Sequence, residues 1–202
     1  MYRPLLCLIT CVLATSLTSP CLAASPELYF GVYVEGSSNN KALGILNRTE
    51  APIDLGAGNC SLELYANGAG TSTATIGLAG TVPVGGIFVI ANTAASLELA
   101  ALAQQLSSSL TFNGDDAIAL VHGNIRVDVI GQIGFDPGSA WGAGSVITVD
   151  HTLVRKTSVC SGDSNGLDLF DPSAEWDGFA GDTYRPLDHL FADAFEFDFC
   201  SS

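Results

Sequence analysis

The chain has 202 residues, 48% of them hydrophobic, and 7 Lys or Arg against 21 Asp or Glu, a net charge of −14. At 14% charged residues with 22 Gly, this is a chain that can bury a core, not a disordered acidic tail. A phosphate backbone is gripped mainly through Lys and Arg, so so few basic residues disfavour nucleic acid as a partner of the chain alone.

The first residues read as a secretory leader. Arg3 precedes an apolar run from Leu5 to Leu17, and small residues follow to Ala24. That run is shorter than the roughly 20 residues of a membrane span. Residues 1–23 are therefore expected to be removed, which leaves no transmembrane segment and places the protein in the periplasm, at the cell surface or outside the cell. Removal takes Arg3 and no acid, so the net charge moves from −14 to −15. Cys7, Cys11 and Cys21 leave with the leader, and Cys60, Cys160 and Cys200 remain. In an oxidising compartment thiols pair. Cys60 and Cys160 both lie in patterned sequence and are expected to form the bridge, closing a loop worth up to ~4.7 kcal/mol in the chain-entropy account.

The pattern that follows is mostly period two, with short apolar runs at 73–78, 87–91 and 117–121. Strands are expected at 28–35, 61–66, 73–78, 87–91, 117–121, 125–130 and 152–157, separated by Gly, Pro and Asn turns. In 125–130, Ile125, Val127 and Val129 are expected to face the core, and Arg126 and Asp128 to face out. Gly123-Asn124 reads as a hairpin turn. One segment differs. Residues 95–106 lack Gly and Pro, carry Leu99, Leu102 and Leu106 at helical spacing, and start after a good N-cap, Ser96. After Thr157 the strand pattern stops. A Gly/Ser/Asp-rich loop and a tail at 184–202 follow. This is the pattern of an all-β sandwich with one short helix.

Few residues suggest chemistry. Asp163, Asn165, Asp168 and Asp171 crowd the late loop and offer the oxygen ligands that calcium takes, although their spacing lacks the helix-loop-helix motif. The same residue types also form turns through bonds to their own backbone. His122, His151 and His189 sit in no recognisable catalytic motif. Two N-glycosylation sequons occur, at Asn47-Arg48-Thr49 and Asn59-Cys60-Ser61.

Several stretches together resemble the bacterial secreted form of the lamin tail domain. They are EGSSNNKAL at 35–43, SLELYANG at 61–68, FNGDDAIAL at 112–120, DVIGQIGFDPGSAWG at 128–142 and VCSGDSNGLDLFDPSAEWDGF at 159–179. The resemblance spans about residues 28–183 and implies an immunoglobulin-like β-sandwich. It also implies a non-catalytic recognition or structural module, not an enzyme, whose ligand would be a protein, surface or polymer. Alternatives are an accessory or remnant module of an extracellular nuclease or phosphatase, and a calcium-stabilised surface protein. No cofactor is implied beyond that calcium. The most family-like loops supply the candidate binding residues: Glu35, Asn39, Asn40, Lys41, Asn113, Asp115, Asp116 and Trp141. The chain departs from the family pattern at Gly44 and Leu46, and Gly44 is expected to weaken the strand after Lys41.

Overall fold

A computed structural model describes residues 28–189. The leader at 1–23 and residues 190–202 of the expected tail lie outside the described residues. The chain folds into two facing sheets. The larger holds, in order, β14 (Trp176–Ala180), β13 (His151–Arg155), β1 (Leu28–Glu35), β2 (Lys41–Asn47), β7 (Ile87–Asn92) and β8 (Gln105–Ser107). The smaller holds β10 (Ile125–Ile130), β9 (Ala117–His122), β4 (Ser61–Tyr65) and β5 (Ala74–Gly77). Two short ribbons complete it, β3 (Ile53–Asp54) with β6 (Thr81–Val82) and β11 (Gly142–Ala143) with β12 (Val146–Ile147). This is the expected all-β sandwich.

The main core lies between the sheets, where Phe30, Leu43 and Ile45 meet Leu62, Ile118 and Leu120. Tyr33 and Phe112 add a ring pair with centroids 5.0 Å apart. A second cluster covers the outer face of the larger sheet, where Val32, Ile87 and Val89 pack against Leu99, Tyr184 and Leu187. Being covered on both faces, β1 and β2 are buried throughout. That explains their continuous apolar sequence.

The structure corrects the sequence reading in five places. The helix α1 is shorter than expected, Leu97–Leu102, while Gln105–Ser107 forms β8, parallel to β7. Ser96 caps α1 as expected, its hydroxyl accepting from the Leu99 N–H at 3.3 Å. Leu106, read as part of the helical face, is half exposed on β8. Its neighbour Gln105 ties this edge to β5, donating to the Gly77 carbonyl at 2.9 Å.

The second place is β2. Gly44 does not cost the strand its pairing: it stands opposite Val89 in β7 and opposite Val32 in β1, just past a bulge between Phe30 and Val32. A Cβ there would lie 2.4 Å from Ile87 Cδ1 and 3.2 Å from Leu187 Cδ2. Glycine makes room for those two side chains. Third, the strands do not stop at Thr157. After a short turn of helix, α2 (Pro172–Glu175), β14 joins the sheet beside β13. Asp and Gly inside WDGFA hide this strand from a propensity reading, and its place on the edge tolerates them.

Fourth, the packed body runs past Thr183. Tyr184 is buried, and Leu187 in α3 (Arg185–His189) is 1% exposed. Fifth, Cys60 is a free, buried thiol, so the Cys60–Cys160 bridge does not form. Cys60 lies in the core between the sheets, whereas Cys160 sits half-buried on the late loop. Burial, with Asp54 nearby, pushes the Cys60 thiol up to about 11.

Candidate functional site

The loop residues expected to bind a ligand are mostly bound to the protein itself. Glu35 and Lys41, at facing ends of β1 and β2, form an ion pair and are both buried. The Lys41 ammonium also donates to the Gly36 carbonyl at 2.7 Å, and the Asp150 N–H donates to Glu35. Asn40 bridges three segments: its amide donates to Asp182 Oδ1 at 3.0 Å, and its oxygen accepts from the Ser96 N–H at 2.8 Å. Asp182, which the sequence reading passed over, anchors this loop. It accepts from the Ser37 N–H and hydroxyl and from Tyr184 Oη. Burial opposes its ionisation, but the bonds from Ser37, Tyr184 and Asn40 hold its carboxyl below the usual range. Asn39 is exposed on the same loop.

The second loop behaves alike. Asp116 is buried and accepts from the Asn67 N–H at 2.9 Å and the Asn113 N–H at 3.0 Å. The Asn113 side chain closes a weak turn on the Asp115 N–H at 3.4 Å. Asp115 keeps one buried oxygen, Oδ1, without a hydrogen bond. Burial, then the Asp116 charge, raises its carboxyl above the ordinary value.

Trp141 is not an exposed binding aromatic. It is 5% exposed and meets Phe170 edge to face, with centroids 5.8 Å apart. With Tyr65, Ala119, Val129 and Ile133 it covers one end of the smaller sheet's outer face. Gly131 at φ +85° permits this cover, since a Cβ there would lie 2.8 Å from the Trp141 ring.

The late-loop acids are turn formers. Asp163 accepts from the Asn165 N–H at 2.8 Å, Asn165 from the Leu167 N–H at 3.4 Å and Asp171 from the Ser173 N–H at 2.9 Å. The Asp171 bond caps α2, and Ser173 holds its carboxyl below the ordinary value. Asp168 is exposed between them. Among the described residues, no three His, Cys, Asp or Glu side chains gather as a metal site. The calcium reading of these four residues therefore has no converging ligand set behind it.

Two arrangements were missed. The first is a buried charge bridge across the sandwich. A bulge in β10 between Arg126 and Asp128 reverses the expected faces: Asp128 is 0% exposed and Ile125 is 69% exposed. The Asp128 carboxylate accepts from Arg155 Nη2 at 2.8 Å to each oxygen. It also accepts from the N–H groups of Phe30, Val129 and Asp163. Burial pushes its carboxyl up to about 6, against the pull of Arg155 and the backbone donors. The Arg155 guanidinium lies 4.6 Å from the centre of the Trp176 ring and donates to Glu175 at 2.8 Å. This is a structural staple, sequestered from solvent.

The second is an open polar groove of about 380 Å³ on the uncovered end of the smaller sheet. Ser61, Glu63, Thr75, Val121, Asn124 and Arg126 line it. Strand alternation places Ser61 and Glu63 outward, while Leu62 and Leu64 enter the core. Arg126 Nη2 donates to Tyr65 Oη at 3.4 Å, and Tyr65 Oη donates to Glu63 at 2.5 Å. Arg126 Nε is buried with no hydrogen-bond partner. The Gly123-Asn124 turn, both residues at positive φ, forms one end as the sequence suggested. A cation, a carboxylate, two hydroxyls and an amide thus share one trough. The residues were visible in the sequence, but their shared face depends on pairing four strands. No transmembrane-length apolar helix occurs among the described residues. The chain matches no protein-family model and no curated protein.

Proposed function

We propose that this protein is an exported, non-catalytic binding module of the lamin-tail type, which recognises a polar ligand through the outer groove of its smaller sheet. The observation that carries this reading is the groove itself. It is open, backed by paired strands, and its lining side chains supply both donors and acceptors, Arg126 and Asn124 beside Glu63, Ser61 and Thr75. Recognition on a rigid sandwich needs no moving part. Polar groups of both signs favour a neutral or zwitterionic polymer over a polyanion. The leader-like first residues and the lamin-tail resemblance support export and a recognition role.

The test is direct binding of purified protein to immobilised neutral polysaccharides and peptides. Saturable binding should fall at least ~10-fold in Arg126→Ala and Glu63→Ala, since losing a charged hydrogen bond costs about 1.5–3 kcal/mol. The melting midpoints should stay close to that of the parent. Turnover of plasmid DNA or an aryl phosphate with Mg²⁺ or Ca²⁺ would overturn the non-catalytic reading.

A further inference from the structure

Three large apolar side chains stand exposed on the two loops that cover the outer face of the smaller sheet: Leu167 at 69%, Leu169 at 83% and Phe135 at 48%. Hydrogen bonds join these loops. The Ile133 N–H donates to the Gly166 carbonyl at 2.7 Å and Gln132 Nε2 to the Leu167 carbonyl at 3.0 Å, while the Phe135 N–H turns back to the Gln132 carbonyl at 3.3 Å. From below, Ile133 and Phe170 root the loops in the Trp141 cluster. Single exposed leucines are ordinary, but three large side chains on two bonded loops make a patch. The patch is acidic as well. Asp136 follows Phe135, Asp168 separates the leucines, and both are exposed. No Lys or Arg occurs between Arg126 and Arg155 or between Lys156 and Arg185. Of the flanking cations, Arg126 donates to Tyr65 Oη, Arg155 to Asp128, and Lys156 to the Ser173 and Ala174 carbonyls.

We propose that this surface docks a cationic, amphipathic peptide segment of a partner protein. Its apolar side chains cover Leu167, Leu169 and Phe135, and its Lys or Arg groups meet Asp136 and Asp168. Charge complementarity selects this occupant. A second copy would bring the same acids face to face on a chain of net charge −14, and like charges repel. An anionic surface is disfavoured for the same reason. Apolar contact supplies most of the affinity, while the aspartates set partner choice and encounter rate. Three side chains make a small interface, so the complex is transient. None of these residues lines the polar groove, so the two surfaces stand or fall separately.

A dye-labelled Leu/Lys peptide, with one apolar and one cationic helical face, is titrated with the purified protein and followed by fluorescence anisotropy. Saturable one-to-one binding is expected. Leu167→Ser with Leu169→Ser should weaken it at least ~10-fold, because the apolar area covered by the peptide is lost. Leu97→Ser, at a leucine 91% exposed on the helix that covers the other sheet, should leave it unchanged. Asp136→Asn with Asp168→Asn should weaken binding several-fold at low salt, and the difference should vanish at about 1 M salt, where charge pairs are screened. All of these side chains are exposed, so the melting midpoints should match the parent. Absence of saturable binding, equal loss in Leu97→Ser, or equal affinity for a Leu/Glu peptide would each overturn the proposal. So would a concentration-dependent dimer dispersed by Leu167→Ser with Leu169→Ser, which would assign the patch to a second copy.

Discussion

Asp128 shows how one side chain can join both sheets. Its carboxylate binds Arg155 on β13 and the Phe30 N–H on β1, while its own strand belongs to the other sheet. Its carboxyl titrates near 6, above the ordinary 3.8, because burial outweighs its partners. The folded state thus binds this proton more tightly than the unfolded chain. The associated stability is fully present below pH ~3.8 and is lost as pH rises through ~6, on the order of 3 kcal/mol in all. Arg155→Met removes the main counter-charge and should destabilise the protein by about 3–5 kcal/mol at pH 7.5. The loss should shrink at pH 5, where Asp128 takes up its proton. Urea unfolding at the two pH values measures this, and an equal loss at both would reject the account.

Among elements, β14 depends on close approach. A Cβ on Gly178 would lie 1.7 Å from the Ser145 carbonyl oxygen and 2.9 Å from Val146 Cα. Both atoms are backbone, so the β11–β12 ribbon must move as a unit. Gly178→Ala is expected to cost at least about 2 kcal/mol, with protection lost from amides of β14 first. Hydrogen exchange would show it; unchanged β14 protection would mean the ribbon is not held there. At α1, Ser96→Ala should cost about 1 kcal/mol, read from the denaturant midpoint at unchanged slope. The helix was legible because capping and spacing are local signals. Its early end was not, since Gln105–Ser107 gains more by pairing with β7 than by adding a turn.

For the whole molecule, acidity is uneven: ten of the 21 acids fall between Asp163 and Asp198. Among the described ones, Asp163 and Asp171 close turns, Glu175 pairs with Arg155 and Asp182 anchors the loop after β1, and no three of them gather as a metal site. Adding Ca²⁺ or chelator should therefore leave the melting midpoint unchanged, because a ligand binding only the folded state must raise it. A rise of several degrees with Ca²⁺ would restore the calcium reading.

Alternating or apolar runs between turn residues by themselves indicated the sandwich, seven of its strands and the Gly123-Asn124 turn, because both kinds of signal are local in sequence. The core between the sheets followed from it. Tertiary structure alone decided the rest. A single bulge turned Asp128 inward, and cover by Leu187 made Gly44 an asset. Burial left Cys60 unpaired, and strand order gathered Ser61, Glu63, Thr75 and Arg126 into one groove. In each case the deciding neighbour is distant in sequence, so no local window contains the energy that fixes the outcome.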